Sequence, residues 1–201
     1  FQLHGRPDSL NWSGRSRYGF GAWVGGGQWI AVQSPRELLF DSLAVSLVSG
    51  PWLADPDAVM ALDDSGLTFS GLSFRNKRGP GRVAVSGRWP VQGAASLEGT
   101  IDALQIPDIL LLALQDPEGA SGELSGTVAM TGRARNAAFE LTASVRGGAY
   151  RQYRSPYAQG VVSYRDRRLT GDLELHGLGE LIVKLIAELP LDLSLVGVQQ
   201  R

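Results

Sequence analysis

Between Gly122 and Leu195 apolar and polar residues alternate through one short segment after another, and this period of two constrains the chain more than any other feature. Leu124, Val128 and Met130 alternate with Glu123, Ser125, Thr127 and Thr131. Phe139, Leu141, Ala143 and Val145 alternate with Glu140, Thr142, Ser144 and Arg146. Leu173 and Leu175, and then Leu181, Val183, Leu185, Ala187 and Leu189, run at the same spacing. Successive side chains of an extended strand leave on opposite sides, so the spacing predicts a sheet with one apolar and one wet face.

The rhythm is also legible upstream. Leu67 and Phe69 are followed by Leu72 and Phe74 across Gly71, then by a turn over 78–81, by Val83, Val85 and Trp89-Pro90, and by Leu97 and Ile101. A glycine that displaces the alternation by one predicts a β-bulge. Leu39, Asp41, Leu43, Val45 and Leu47 predict a strand over 39–48 that ends in Ser49-Gly50-Pro51. Pro51 and Pro56 argue for a loop over 52–64. Tryptophans set among glycines in the first fifty residues point to short strands and tight turns. The period changes at Pro107-Asp108, and the run to Leu114 predicts one short helix near 107–115, closed by Pro117 and Gly119. The helix is apolar nearly all round, which predicts burial, as core or as a plug at one end of the sheet. The chain thus divides into a weakly marked glycine- and tryptophan-rich segment, 1–64, and a β-repeat segment, 65–201.

A repeat at a spacing of about one hundred residues links Val83, Val85, Gly87, Trp89 and Pro90 with Val183, Leu185, Ala187, Leu189 and Pro190. Upstream of each copy stands a Leu-Thr step, Leu67-Thr68 and Leu169-Thr170. One unit would be several strands and a turn, and the chain reads as a serial array of hairpins punctuated by a helix.

Composition excludes several classes of function. Nineteen basic against twenty acidic residues leave a net charge of -1, which gives no long-range pull on nucleic acid or an anionic surface. Without cysteine there are no disulfides, thiolate metal sites or thiol nucleophiles. The longest purely apolar run, 109–114, is far shorter than the ~20 residues of a membrane helix. Phe1 in first place, and the alternation of Leu191, Leu193 and Leu195 just before the last residue, lead us to expect a fragment of a longer protein.

Motifs for catalysis are missing. The only lysines, Lys77 and Lys184, do not follow a glycine as the P-loop requires; Gly19-Phe20-Gly21 lacks the third glycine of a dinucleotide site; no serine sits in a Gly-x-Ser-x-Gly elbow. Asp55, Asp57, Asp63 and Asp64 lack the spacing of a calcium loop and read as loop and cap carboxylates. His176 follows Glu174 on the expected wet face, as a solvated pair rather than a metal site, and His4 stands apart. Arg146, Arg151 and Arg154 with Tyr150, Tyr153, Tyr157 and Tyr164 form the one basic and aromatic cluster. It suits a stacking platform for single-stranded nucleic acid or, as we prefer, strand ends at a wet edge. No cofactor and no metal are expected, and the chain is not expected to be an enzyme.

Gly122-Glu123-Leu124-Ser125-Gly126-Thr127-Val128, followed by Gly132 and by Ala138-Phe139-Glu140-Leu141-Thr142-Ala143, resembles a phrase of the TamB and AsmA-like family of the Gram-negative envelope. Gly148-Ala149-Tyr150, Val161-Val162-Ser163-Tyr164, Arg168-Leu169 and Leu189-Pro190-Leu191-Asp192-Leu193 follow in that family's order. Asn136-Ala137 stands where the family tends to have Asn-Pro or Asp-Pro. The similarity covers about 67–195. It implies an elongated, twisted antiparallel sheet curled into an apolar groove, in a periplasmic protein anchored in the inner membrane. It further implies phospholipid acyl chains as ligand, intermembrane lipid transport or help with outer-membrane protein assembly and secretion, and a TamA-like β-barrel partner. Membrane contact would run through the rest of the protein, and nucleic acid is not a partner. The groove-lining candidates are then Val83, Val85, Leu97, Leu124, Val128, Met130, Phe139, Leu141, Val145, Leu173, Leu175, Leu181, Val183, Leu185 and Leu189.

Two other readings stay open from the residues alone. Alternating leucines also build the closed core of a structural or adhesive β-domain, and a β-sandwich enzyme would need a polar cluster in a pocket. Lipid and unfolded peptide are equally compatible with an apolar sheet face.

Overall fold

The computed structural model describes residues 2–6, 8–18, 21–31, 35–56, 58–112, 116–133 and 136–190. Among the described residues fourteen strands and one short helix follow one another in the order β1 (Gln2–Arg6), β2 (Ser9–Tyr18), β3 (Gly21–Ile30), β4 (Arg36–Leu47), β5 (Gly50–Ala54), β6 (Val59–Asp63), β7 (Gly66–Asn76), β8 (Arg82–Pro90), β9 (Ala95–Gln105), α1 (Ile106–Leu112), β10 (Ala120–Arg133), β11 (Asn136–Tyr150), β12 (Tyr153–Arg165), β13 (Arg168–Gly177) and β14 (Glu180–Pro190). The fold is all-β. All strands join one antiparallel sheet whose spatial order follows the sequence. Among the described residues no ladder returns β14 to β1, so the sheet is not closed by hydrogen bonds into a barrel.

One step departs from simple succession. β5 and β6 share the slot between β4 and β7: β5 pairs with Ala44 to Leu47, and β6 with Arg36 to Leu39. Both then pair with β7, at its two ends. The expected loop over 52–64 is therefore mostly strand. Proline is tolerated near a strand start, where Pro51 sits, and Pro56 falls in the short break between the two strands.

Bulges set which side chains share a side. Between Phe69 and Leu72 the β7–β8 register slips by one residue, and Gly71 there has φ +65°. The left-handed region costs glycine nothing. Leu67, Phe69, Leu72 and Phe74 thus all stay on one side, as their spacing around Gly71 predicts. A second slip, at Asp41, was not legible. It puts Leu38 and Phe40 with Leu43 and Val45, and sends Leu39 to the other side, contrary to the odd-number reading.

The hundred-residue repeat is a structural one. Its copies are the hairpins β7–β8 and β13–β14, in which Leu67 pairs with Trp89 and Thr68 with Arg88, as Leu169 pairs with Leu189 and Thr170 with Glu188.

Helix α1 is fastened to one end of the sheet by a carboxylate. Asp108 is 0% exposed and accepts the Ser49 backbone N–H at 2.9 Å, the Ser49 hydroxyl, and the Trp52 indole N–H at 3.2 Å. Asn76 donates to Ser49 Oγ at 2.6 Å. A buried carboxylate is tolerable because each partner replaces a lost water. Leu111 is buried beside this network, whereas Leu112 is 52% exposed, so the helix is not covered all round as expected. Residues 113–115 lie outside the described ones.

Candidate functional site

Pairing register brings the predicted apolar residues together. Residues opposite each other in an antiparallel ladder share a face. Met130 pairs with Leu97 and Phe139, Phe139 with Tyr164, Tyr164 with Leu169, and Leu169 with Leu189. In the other direction Leu97 leads through Gly87 to Phe69, Met60, Leu38 and Trp29. This apolar row crosses the sheet from β3 to β14. Parallel rows hold the rest: Val128 pairs with Gly99 and Leu141, Gly99 with Val85, Val83 with Ile101, and Leu173 with Leu185. Leu124 pairs with Val145, and Leu175 with Val183.

Leu181 is the exception among the candidates. The β13–β14 register slips between Leu175 and His176, so Leu181 pairs with His176 and leaves the apolar face. Alternation counted along the strand could not reveal the extra residue, Ile182. Leu191, Leu193 and Leu195 lie outside the described residues.

This face is half-covered. From β8 to β13 its side chains are mostly intermediate in exposure, while those of the opposite face are mostly exposed. Among the described residues only a few apolar side chains are buried, Phe40, Trp52, Leu104 and Tyr164 among them. Lateral neighbours on a sheet screen a side chain in part; a second layer would bury most of them completely, as in a sandwich core. The accessible surface agrees: it is 13378 Å², where a compact 21.5 kDa protein exposes about 9,200 Å². On β14 the face is more open still, with Val183 45%, Leu185 49% and Leu189 56% exposed.

Small residues shape the middle of the face. Gly126, Ala143 and Gly160 are successive pair partners leading to Leu173. A Cβ at Gly126 would stand 2.2 Å from the Thr142 carbonyl oxygen, and one at Gly160 would stand 2.6 Å from Leu173 Cδ2. The strands can approach this closely only without that carbon.

At one end the face dips into an apolar hollow of about 500 Å³. Val145, Ala158, Leu175, Ile182 and Val183 of the strands and Ile106 of α1 line it, together with Tyr150, Tyr153, Arg154 and His176. No carboxylate lines it. A second depression, of about 610 Å³, lies on the polar side between β10 and β14, among the hydroxyls of Ser125, Thr127, Thr142 and Ser144 and the charges of Asp172, Glu174 and Lys184. Those charges are already satisfied by one another. Lys184 Nζ is 3.1 Å from Asp172 and 3.6 Å from Glu174, and Gln159 donates to Glu174 at 2.9 Å. The Gln159 hydrogen bond, with His176 and Lys184 nearby, holds Glu174 below the usual carboxylate range, and Asp172 raises Lys184. The apolar hollow is therefore the stronger candidate for a ligand.

The remaining predicted clusters separate. Tyr164 is buried and stacks on Phe139 at 5.4 Å, part of the apolar row. Tyr157 is on the other side against His176, with ring centroids 5.7 Å apart. Tyr150 and Tyr153 are 50% and 70% exposed at the hairpin tip, with the Arg151 guanidinium 5.2 Å from the Tyr150 ring. These tyrosines do not form one stacking platform. His176 Nε2 lies 3.5 Å from Glu174, as their spacing predicts, but makes no hydrogen bond there. Asp55 and Asp63 do separate work: Asp55 accepts from Ser73 and Arg75, and Asp63 from Ser65 with Arg88 at 3.4 Å. Those hydrogen bonds, Ser73 first for Asp55 and Ser65 first for Asp63, lower both carboxyls. Asp57 lies outside the described residues. The Asp108 network went unseen in the sequence, because its partners are 56 and 59 residues away.

Fold and site define a class: a continuous antiparallel sheet of many strands with one half-covered apolar face. No family model, no curated protein and no solved structure matches the chain.

Proposed function

We propose that the chain is a non-catalytic segment of a cell-envelope protein, similar to the TamB and AsmA-like family, that holds phospholipid acyl chains along an apolar β-groove for transport between membranes. The observation that carries this reading is the unbroken apolar row from Trp29 to Leu189 on a face left half-covered. Strand spacing is ~4.8 Å, and one leaflet of a ~30 Å hydrocarbon core is ~15 Å, so one tail spans about three strands. Each methylene fully removed from water contributes ~0.8 kcal/mol, so a tail of over a dozen carbons with one side covered gains roughly 5 kcal/mol. No specific polar contact is needed, and a tail can shift along the row without losing contact.

The exposed apolar side chains of β14, Val183, Leu185 and Leu189, also support the second role of such a segment, support for outer-membrane protein assembly, since an extended strand can be held by apolar contact. On this reading the protein works in the periplasm, is anchored in the inner membrane, and meets a β-barrel partner. The test is native mass spectrometry with lipid extraction on the chain expressed in a bacterial envelope. Co-purified phospholipid, lost on Leu141→Asp or Leu173→Asp in a folded protein, is the expected result. A lipid-free wild-type mass refutes the lipid reading.

A further inference from the structure

We propose that the apolar hollow seats the head-proximal part of an anionic phospholipid, with its phosphate on Arg154. The inference rests on the lipid reading above and adds where the headgroup goes. Arg154 pairs with Ala149, which puts its side chain on the same side as Ala158 and the apolar rows. Of the charged residues on β8 to β14, the register places Arg154 and Glu180 on that side, and of these only Arg154 lines the hollow.

Arg154 is exposed and makes no ion pair or hydrogen bond with any described residue. Arg75, Arg88 and Arg168 of this sheet hold a carboxylate across a strand, whereas Arg133, Arg146 and Arg165, on the polar side, make no ion pair among the described residues, so it is its place on the apolar side that sets Arg154 apart. Arg154 instead lines the hollow together with Val145, Ala158, Leu175 and Val183 and with Tyr153. A guanidinium presents two parallel N–H donors to a phosphate, a stronger arrangement than neutral hydrogen bonds. Tyrosine at the boundary between apolar floor and water suits a headgroup region. A hydrocarbon ligand would need only the apolar lining; the Arg154 guanidinium, with the His176 imidazole also lining the hollow, complements one negative charge. The volume, about 500 Å³, falls within the roughly 300–1,000 Å³ of small-molecule sites.

Binding of phosphatidylglycerol and of diacylglycerol with identical tails, titrated by native mass spectrometry, separates headgroup from tail. The wild-type chain is expected to prefer phosphatidylglycerol about tenfold, the effect of one charge-assisted hydrogen-bonded pair. Arg154→Gln should abolish that preference with diacylglycerol binding unchanged, and Arg154→Lys should restore part of it. An unchanged urea midpoint establishes that the Gln variant is folded. If Arg154→Gln keeps the preference, the headgroup site is refuted and the lipid reading stands; if wild type binds neither lipid, both fall.

Discussion

Val128→Asp tests whether the apolar face is uncovered. Val128 is half-buried, flanked by Gly99 and Leu141, and its Cγ1 occupies the space over Gly99, 2.7 Å from where a Cβ would stand. A fully buried valine is worth about 1.5 kcal/mol, so a half-buried one loses roughly 0.8 kcal/mol of burial. The new carboxylate keeps water on its open side, and its residual desolvation adds roughly 1 kcal/mol. The expected loss is thus about 2 kcal/mol out of a typical 5–15 kcal/mol, and the variant stays folded. With an m-value of about 2 kcal/mol/M, the urea midpoint followed by circular dichroism should fall by about 1 M. Under a closed core the same charge would be stripped of water without a partner, at several kcal/mol more. A loss above about 4 kcal/mol, or the disappearance of a cooperative transition, refutes the uncovered face.

Asp108→Ala should destabilise by about 3 kcal/mol, since it orphans the Ser49 backbone and hydroxyl donors and leaves the Trp52 indole only its bond to Ser49 Oγ, and thermal melting would register it; a change under about 1 kcal/mol would deny the network its role. Gly126→Val should cost more than about 2 kcal/mol because its Cβ meets the Thr142 carbonyl at 2.2 Å, whereas Gly171→Ala, with nothing within 4 Å, should change stability by less than about 0.5 kcal/mol. Equal effects of the two would contradict the close strand approach. Asp55 has its carboxyl lowered by Ser73 and Arg75, so its contribution is present above the ordinary value of 3.8 and is lost as pH falls through the folded-state value. Acid melts should therefore show a smaller loss below about pH 4 in Asp55→Asn than in wild type, and identical curves would exclude that linkage.

Period-two alternation determined that the chain is all-β and, for nearly every candidate, which side chains share a face, because each strand carries its own inside and outside. The Gly71 bulge was legible for the same reason: the apolar spacing itself slips there. Where the extra residue leaves the spacing undisturbed, at Asp41 and Ile182, only the pairing strand reveals it, and Leu39 and Leu181 change sides accordingly. Prolines hid β5 and β6, since their strand character comes from neighbours at β4 and β7 rather than from local preference. Helix α1 was visible as a break in period, but its anchorage was not: a carboxylate with partners 56 and 59 residues away is defined by the register of the whole sheet. The hollow and its arginine belong to the tertiary structure for the same reason. Five strands, β10 to β14, and the helix must come together before the apolar lining around Arg154 exists, and no local pattern encodes that meeting.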